Sequence, residues 1–341
     1  MNLSSAAGRV KSTLPWLLLI ALAVWPSTNP SPNAVRLLFI TAVWTTTSLA
    51  WNLVGGLAGQ VSFGFAVFYG LGSYAAAVMI NSGRSPLFAF AGAAAIAALA
   101  SFFVGLPTFR LRGPYFAIAT IGVGEAVRVV MNNLDSTGGA SGYRIMEKGA
   151  FRQIEHYYYA LGLVALAVVI ASIVKNSKFG LALRAIKQDQ EAAAAVGVNP
   201  YFCKLWVHAI AAALTGVAGA VHARYAAFIY PGSEFAFQTS ISILLMPVIG
   251  GIGTIWGAVL GGVIFGIVEE EFVVRFPNIH LLLYGALLML IILFEPDGLV
   301  GLMRRTMRLL KRWFWSKRED SGSPDADKVL WGRGSVEGRK L

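Results

Sequence analysis

Ten apolar runs punctuate the chain, at about residues 14–27, 34–54, 61–80, 87–106, 115–131, 157–174, 205–222, 239–256, 257–274 and 280–295. Each comes near the ~20 residues that a helix needs to cross ~30 Å of hydrocarbon. A backbone surrounded by lipid satisfies its own polar groups only as a helix or a closed barrel, and runs of this length point to helices. The pattern therefore predicts an all-α, polytopic transmembrane bundle of about ten spans over residues 1–302. The glycine-rich stretches at 54–73 and 250–266 are where broken or re-entrant helices are expected. After Leu302 the pattern changes. Arg304, Arg305, Arg308, Lys311 and Arg312 alternate with Leu309, Leu310, Trp313, Phe314 and Trp315. That reads as a basic interfacial helix on anionic membrane lipid, opening a cytoplasmic tail over 303–341 that is expected to be partly disordered.

The polar interruption at 177–199 has its own period. Its Ala, Leu, Lys, Gln and Glu favour helix, and Gly197, Asn199 and Pro200 supply a stop. At ~100° per residue Arg184, Lys187, Gln188 and Glu191 share one side, with Ala182, Ile186 and Ala193 opposite. A short amphipathic helix lying across the mouth of the bundle follows, either as a plain surface linker or as a docking helix for a soluble partner.

Composition sharpens this picture. The chain is 56% hydrophobic and 13% charged, with a mean hydropathy of +0.64, far short of the roughly 25% charge that coats a soluble domain. The net charge of +11 would suggest nucleic acid on a soluble protein, but its distribution follows topology instead. With the N-terminus inside and the spans alternating, nine of the 28 Lys and Arg residues fall in the N-terminus, at 110–112 and at 175–204, and eleven more in the tail. These are the inner segments, as the positive-inside rule requires. An even number of spans puts both termini in the cytoplasm of a bacterial inner (plasma) membrane protein. Arg9 and Lys11 before residues 14–25 also fit a signal peptide, but no small-x-small cleavage pattern follows, which favours a retained first span. A single cysteine, Cys203, excludes an internal disulfide framework.

Several polar residues at membrane depth are candidates for function. Asn52, Gln60 and Ser62 need partners or a wet cavity, and Gly55 and Gly56 permit a helix break that exposes backbone groups. Such a break offers N–H groups at one end and carbonyls at the other, which suits a zwitterion. The alternative is close helix packing. Glu125, about midway along its span, either lines a path or pairs with Arg128 at i+3. Gly253, Gly257 and Gly261, and Gly262 and Gly266, recur at spacing four as a packing seam. The Glu269–Glu271 cluster reads as a solvated helix end. Asp135-Ser-Thr-Gly-Gly-Ala-Ser-Gly142 lacks the Lys-Ser/Thr of a phosphate loop. His208 and His222 are too far apart to share a metal, so no metal site is expected. No catalytic pairing appears within the spans.

The spelling of these segments carries a resemblance. Glu191-Ala192-Ala193 with Gly197 resembles the coupling loop of ABC importer permeases. Trp51-Asn-Leu-Val-Gly-Gly-Leu-Ala-Gly-Gln-Val-Ser-Phe-Gly-Phe-Ala66, Leu111-Arg-Gly-Pro-Tyr-Phe-Ala-Ile-Ala-Thr120 with Glu125, Gly250-Gly-Ile-Gly-Thr-Ile-Trp-Gly257 and Pro296-Asp-Gly-Leu-Val-Gly301 resemble LivM-type branched-chain amino acid permeases over about residues 35–302. The resemblance implies a non-enzymatic subunit that works with two ATP-binding subunits, a second, LivH-like permease and an extracytoplasmic solute-binding protein. ATP and Mg would be bound by the partner ATPases, since the chain has no Gly-x4-Gly-Lys-Ser/Thr loop, and no cofactor is expected in this chain. Arg184, Lys187, Glu191, Ala192, Ala193 and Gly197 would couple to the ATPase. Asn52, Gly55, Gly56, Gln60, Ser62, Tyr115, Thr120 and Glu125 would line the substrate pathway. Related systems carry Leu, Ile and Val, but also urea, short amides or aromatic acids. The rival class is an ion- or proton-coupled secondary transporter with Glu125 titrating.

Overall fold

The computed structural model describes residues 21–28, 30–111, 113–146, 151–275 and 298–301, together with 279, 282, 285, 286 and 289. Most of the apolar runs at 14–27 and 280–295, and the tail after 302, lie outside the described residues.

The eight apolar runs between 34 and 274 each become a helix. The helices are α1 (Pro32–Trp51), α2 (Phe65–Asn81), α3 (Pro86–Thr108), α4 (Pro114–Asn132), α5 (Gln153–Asn176), α6 (Lys178–Gln188), α7 (Gln190–Ala195), α8 (Pro200–Ala226), α9 (Pro231–Glu234), α10 (Phe237–Gly250) and α11 (Ile255–Arg275). Among the described residues six stretches are long and apolar enough to cross a membrane, and α2 and α11 add shorter apolar ones. Three long helices open alike: Ser31, Ser85 and Asn199 cap the first-turn N–H groups while a proline takes the first helical position. Proline suits that place because its missing N–H would be unpaired there in any case.

α8 is the central post. It packs on α2 where Gly72 and Gly216 meet: a Cβ on Gly72 would lie 2.0 Å from the Gly216 carbonyl oxygen, and one on Gly216 would lie 2.5 Å from Ala97 Cβ of α3. Small residues let the backbones approach this closely, which in lipid is the main source of packing energy. The predicted seam on α11 serves two neighbours. Gly257 and Gly261 meet the end of α10, while Gly262 and Gly266 meet Thr45 and Thr41 of α1. At ~1.5 Å per residue α8 spans ~40 Å, so the segment before Pro200 and the segment after Ala226 lie at opposite faces. One face carries α6 and α7. The other carries a two-stranded antiparallel ribbon, β1 (Tyr143–Arg144) on β2 (Phe228–Ile229), pinned by Asn81, whose side chain donates to the Arg144 carbonyl and accepts from the Met146 N–H.

Candidate functional site: two broken helices and the polar segment against them

α1 ends in a wide π-helical turn, Asn52–Leu57. The glycines there follow from their neighbours. Trp51 and Asn52 fold back over the turn, so that a Cβ on Gly55 would lie 2.1 Å from the Trp51 ring and one on Gly56 2.1 Å from Asn52 Oδ1. Both side chains are consumed in contacts that hold the break. Trp51 Nε1 donates to the Ser62 carbonyl at 2.9 Å. Asn52 Oδ1 accepts from Gly253 N at 2.8 Å, and its Nδ2 donates to the Thr254 carbonyl at 3.1 Å. Asn52 thus clasps the first break to the second, where α10 gives way to α11.

The chain reverses at Gly59, whose φ of +70° favours glycine, and climbs back into the bundle. α2 then begins in the interior. A helix start leaves N–H groups without intrahelical partners, and these are costly where water does not reach. Three hydroxyls from three elements answer N–H groups at the start of α2 and just before it. Phe63 N donates to Thr120 Oγ1 at 3.0 Å, Gly64 N to Ser62 Oγ at 3.3 Å, and Ala66 N to Ser240 Oγ at 2.9 Å. Ser240 carries no sequence signal beyond being polar within an apolar run.

The residues predicted for the pathway therefore divide. Asn52, Gly55, Gly56, Ser62 and Thr120 come together and are buried in the scaffold of the breaks, with Gln60 half-buried at the rim. Tyr115 and Glu125 lie elsewhere, on the open side of α4. There Tyr115 (72% exposed), Ile118 (64%) and Val129 (48%) form one stripe with Gly122 and Glu125 at alternating spacings of three and four. Glu125 accepts from Arg128 Nε at 3.0 Å and from its Nη2. A Cβ on Gly122 or Gly124 would meet nothing within 4 Å.

The polar segment is two helices where the sequence predicts one. Asp189 adopts an extended φ of −155° and caps α7, its Oδ1 accepting from Glu191 N at 2.8 Å and Ala192 N at 3.0 Å. These backbone donors hold its carboxyl below the ordinary aspartate value. Aspartate is a stronger cap than helix interior residue, which is why the helix divides there. The break leaves the predicted faces in place, with Ile186 and Ala193 buried and Lys187 and Gln188 exposed. Arg184, Glu191 and Ala192 stay exposed with Leu181 (63%) and Val196 (79%), while Ala193 turns in. Gly197, at φ +88°, ends α7, and Val198 N reaches back to the Ala193 carbonyl at 3.1 Å. Lys187 Nζ leaves its predicted company and donates to the Gly56 carbonyl at 2.9 Å.

One further polar group, Glu234, escaped sequence reading, and a histidine that the sequence reading set aside as a metal ligand, His208, is a core residue. Glu234 is buried and accepts from Ser73 Oγ at 2.6 Å. His208 is fully buried, edge-on to the rings of Phe65, Phe68 and Phe109.

Interrupted helices clasped in the interior, with a polar surface segment bonded to one interruption, mark a helical permease. Residues 33–292 match the family described as branched-chain amino acid transport system / permease component. The chain belongs to that family. It is 30% identical over 334 residues to the high-affinity branched-chain amino acid transport system permease protein LivM of Escherichia coli, with 88% of this chain and 77% of that protein covered. It is 26% identical to the high-affinity branched-chain amino acid transport system permease protein BraD of Pseudomonas aeruginosa (77% and 93% covered) and 24% identical to the permease protein LivH of Escherichia coli (76% and 92% covered). No solved structure matches it.

Proposed function

We propose that the chain is the membrane-spanning subunit of an ATP-driven importer for branched-chain amino acids or a related small polar solute. It works beside a second, LivH-like permease, two ATPase subunits and an extracytoplasmic binding protein, with residues 177–199 and both termini in the cytoplasm. The observation that carries the reading is the uncovered ion pair Glu125–Arg128 on α4. A charged pair at membrane depth is not left facing lipid. A partner subunit, with a wet passage between the two, covers it.

On the cytoplasmic face, Leu181, Arg184, Gln188, Glu191, Ala192 and Val196 offer exposed apolar and charged side chains on short, well-capped helices. That mixture suits docking of an ATPase subunit. ATP and Mg, bound there, would close the ATPase pair, and differential binding of ATP to the two states supplies the free energy for alternating access. The test is uptake by sealed vesicles carrying the assembled complex. Uptake of leucine that requires ATP, and stops when the ATPase subunit is inactivated, supports the reading. Uptake that follows a proton gradient without ATP overturns it in favour of a secondary carrier.

A further inference from the structure

The wide turn that ends α1 leaves carbonyls without intrahelical donors, and the negative end of the helix dipole gathers there. Gly56 O, buried, takes its hydrogen bond from Lys187 Nζ, which arrives from α6. The lysine stem crosses Gly59 on its way: a Cβ on Gly59 would lie 2.9 Å from Lys187 Cγ and 3.4 Å from its Cβ. The ammonium also reaches the second break, since a Cβ on Gly253 would lie 3.9 Å from Nζ. Gly253 N is in turn held by Asn52 Oδ1 at 2.8 Å. One ammonium and one carboxamide thus link a surface helix to both interruptions. An ATPase-docking role for Lys187 needs none of this. Lys187 is exposed along its length like Arg184, Gln188 and Glu191 on the same segment, but its ammonium donates inward to the Gly56 carbonyl.

We propose that Lys187 is a positioning residue that makes α6 and the two broken hairpins move as one body. Displacement of the docking segment then becomes displacement of residues 58–64, instead of being absorbed by flexing of α6. This rests on the reading of the chain as an ATP-driven permease.

The experiment uses the complete complex in proteoliposomes, with Cys203→Ser and spin labels on cysteines replacing Val61 and Met146, both exposed and set on the re-entrant segment and the ribbon face. The distance between the labels is measured without nucleotide and with ATP plus vanadate, beside ATP hydrolysis. With Lys187 present the distance shifts. In Lys187→Met the ATPase subunits still co-purify and hydrolyse ATP, but at least three-quarters of the shift is lost, and Lys187→Arg restores most of it. A full shift in Lys187→Met overturns the inference. So does loss of the ATPase subunits on purification, which would make Lys187 a docking contact. Absence of any ATP-driven shift with Lys187 in place would instead sink the functional reading itself.

A covalent tie guards against a folding defect in Lys187→Met. In Gly59→Cys/Lys187→Cys the Cβ atoms stand near disulfide distance, and the single Gly59→Cys variant sets the cost of the left-handed position. Oxidation should restore stimulation of ATP hydrolysis by the loaded binding protein to at least half that of Gly59→Cys, and reduction should abolish it. Stimulation lost on oxidation and regained on reduction would mean that the two segments must part during the cycle, which contradicts the proposal.

Discussion

α8 and α4 are alike as sequences: both begin with proline, both are rich in small and apolar residues, and both are long enough to span. In the folded chain 72% of the apolar stretch of α8 is buried, against 17% of that of α4. The difference lies in what the small residues meet. Gly216 and Gly219 of α8 touch backbone atoms of α2 and α3, whereas Gly122 and Gly124 of α4 touch nothing. Apolar character says that a helix belongs in the membrane, and only the neighbours say whether it is a post or a wall. α4 has the form of a wall with one side left open.

The largest expected effect is on the post. Gly216→Leu drives a side chain into Ala97 Cβ and the Ala93 carbonyl, and should cost about 3 kcal/mol, the upper end for overpacking a tight core. A detergent thermal-unfolding scan of the isolated chain reads it. The same change on the wall, Gly122→Leu, should leave that unfolding within ~0.5 kcal/mol, as for an uncrowded surface site. It should nevertheless reduce recovery of the second permease on co-purification about tenfold. Equal destabilisation at both positions would erase the contrast between the two helices.

The ion pair sharpens the comparison further. Glu125→Leu strands Arg128 in the contact, and a stranded charge is worse than a missing pair. Recovery of the complex should fall several-fold in the single variant and by less in Glu125→Leu/Arg128→Leu. A double variant worse than the single would mean that the charges contact the partner or the solute separately.

The smallest effects lie outside the membrane. Gly197→Ala meets no neighbour but must hold φ +88°, a strain of about 1 kcal/mol. It should speed amide exchange in α7 without touching α4 or α8. The Asp189 cap has a pH signature. Its carboxyl is lowered in the fold, so the cap's contribution is fully present above the unfolded aspartate value of about 3.9. That contribution is lost as pH falls through the lower folded value. Protection of the Glu191 and Ala192 amides should therefore persist to pH ~4 and disappear only below it. Loss already near pH 6 would count against the cap.

Much of this was legible in the sequence because it is local. Apolar length marked the eight helices, Gly197 marked the end of the polar segment, and the glycines at 55–59 and 250–253 marked the two breaks. What escaped depends on partners far apart in the chain. Asn52 reads as a group that needs partners or a wet cavity, and only the fold supplies the partners, Gly253 and Thr254, some 200 residues on, at both ends of its amide. Lys187 reads as one of a row of surface charges until Gly56 is seen beneath it. Ser240 is invisible until Ala66 needs an acceptor. The division at Asp189 was missed for another reason: the helical period was carried across a residue whose side chain competes for backbone N–H groups.

The central claim is that the open stripe of α4 faces a partner and a wet passage instead of lipid. Single cysteines at Tyr115, Ile118, Gly122, Glu125 and Val129, and at Ala117 and Val127 for contrast, in a Cys203→Ser background, test it in the membrane-embedded complex. They are exposed to a charged, membrane-impermeant thiol reagent and to a short thiol cross-linker. The stripe positions should react with the reagent or cross-link to the second permease, while the contrast positions do neither. Uniform silence toward both, with labelling of the stripe only by a lipid-soluble reagent, would contradict the account.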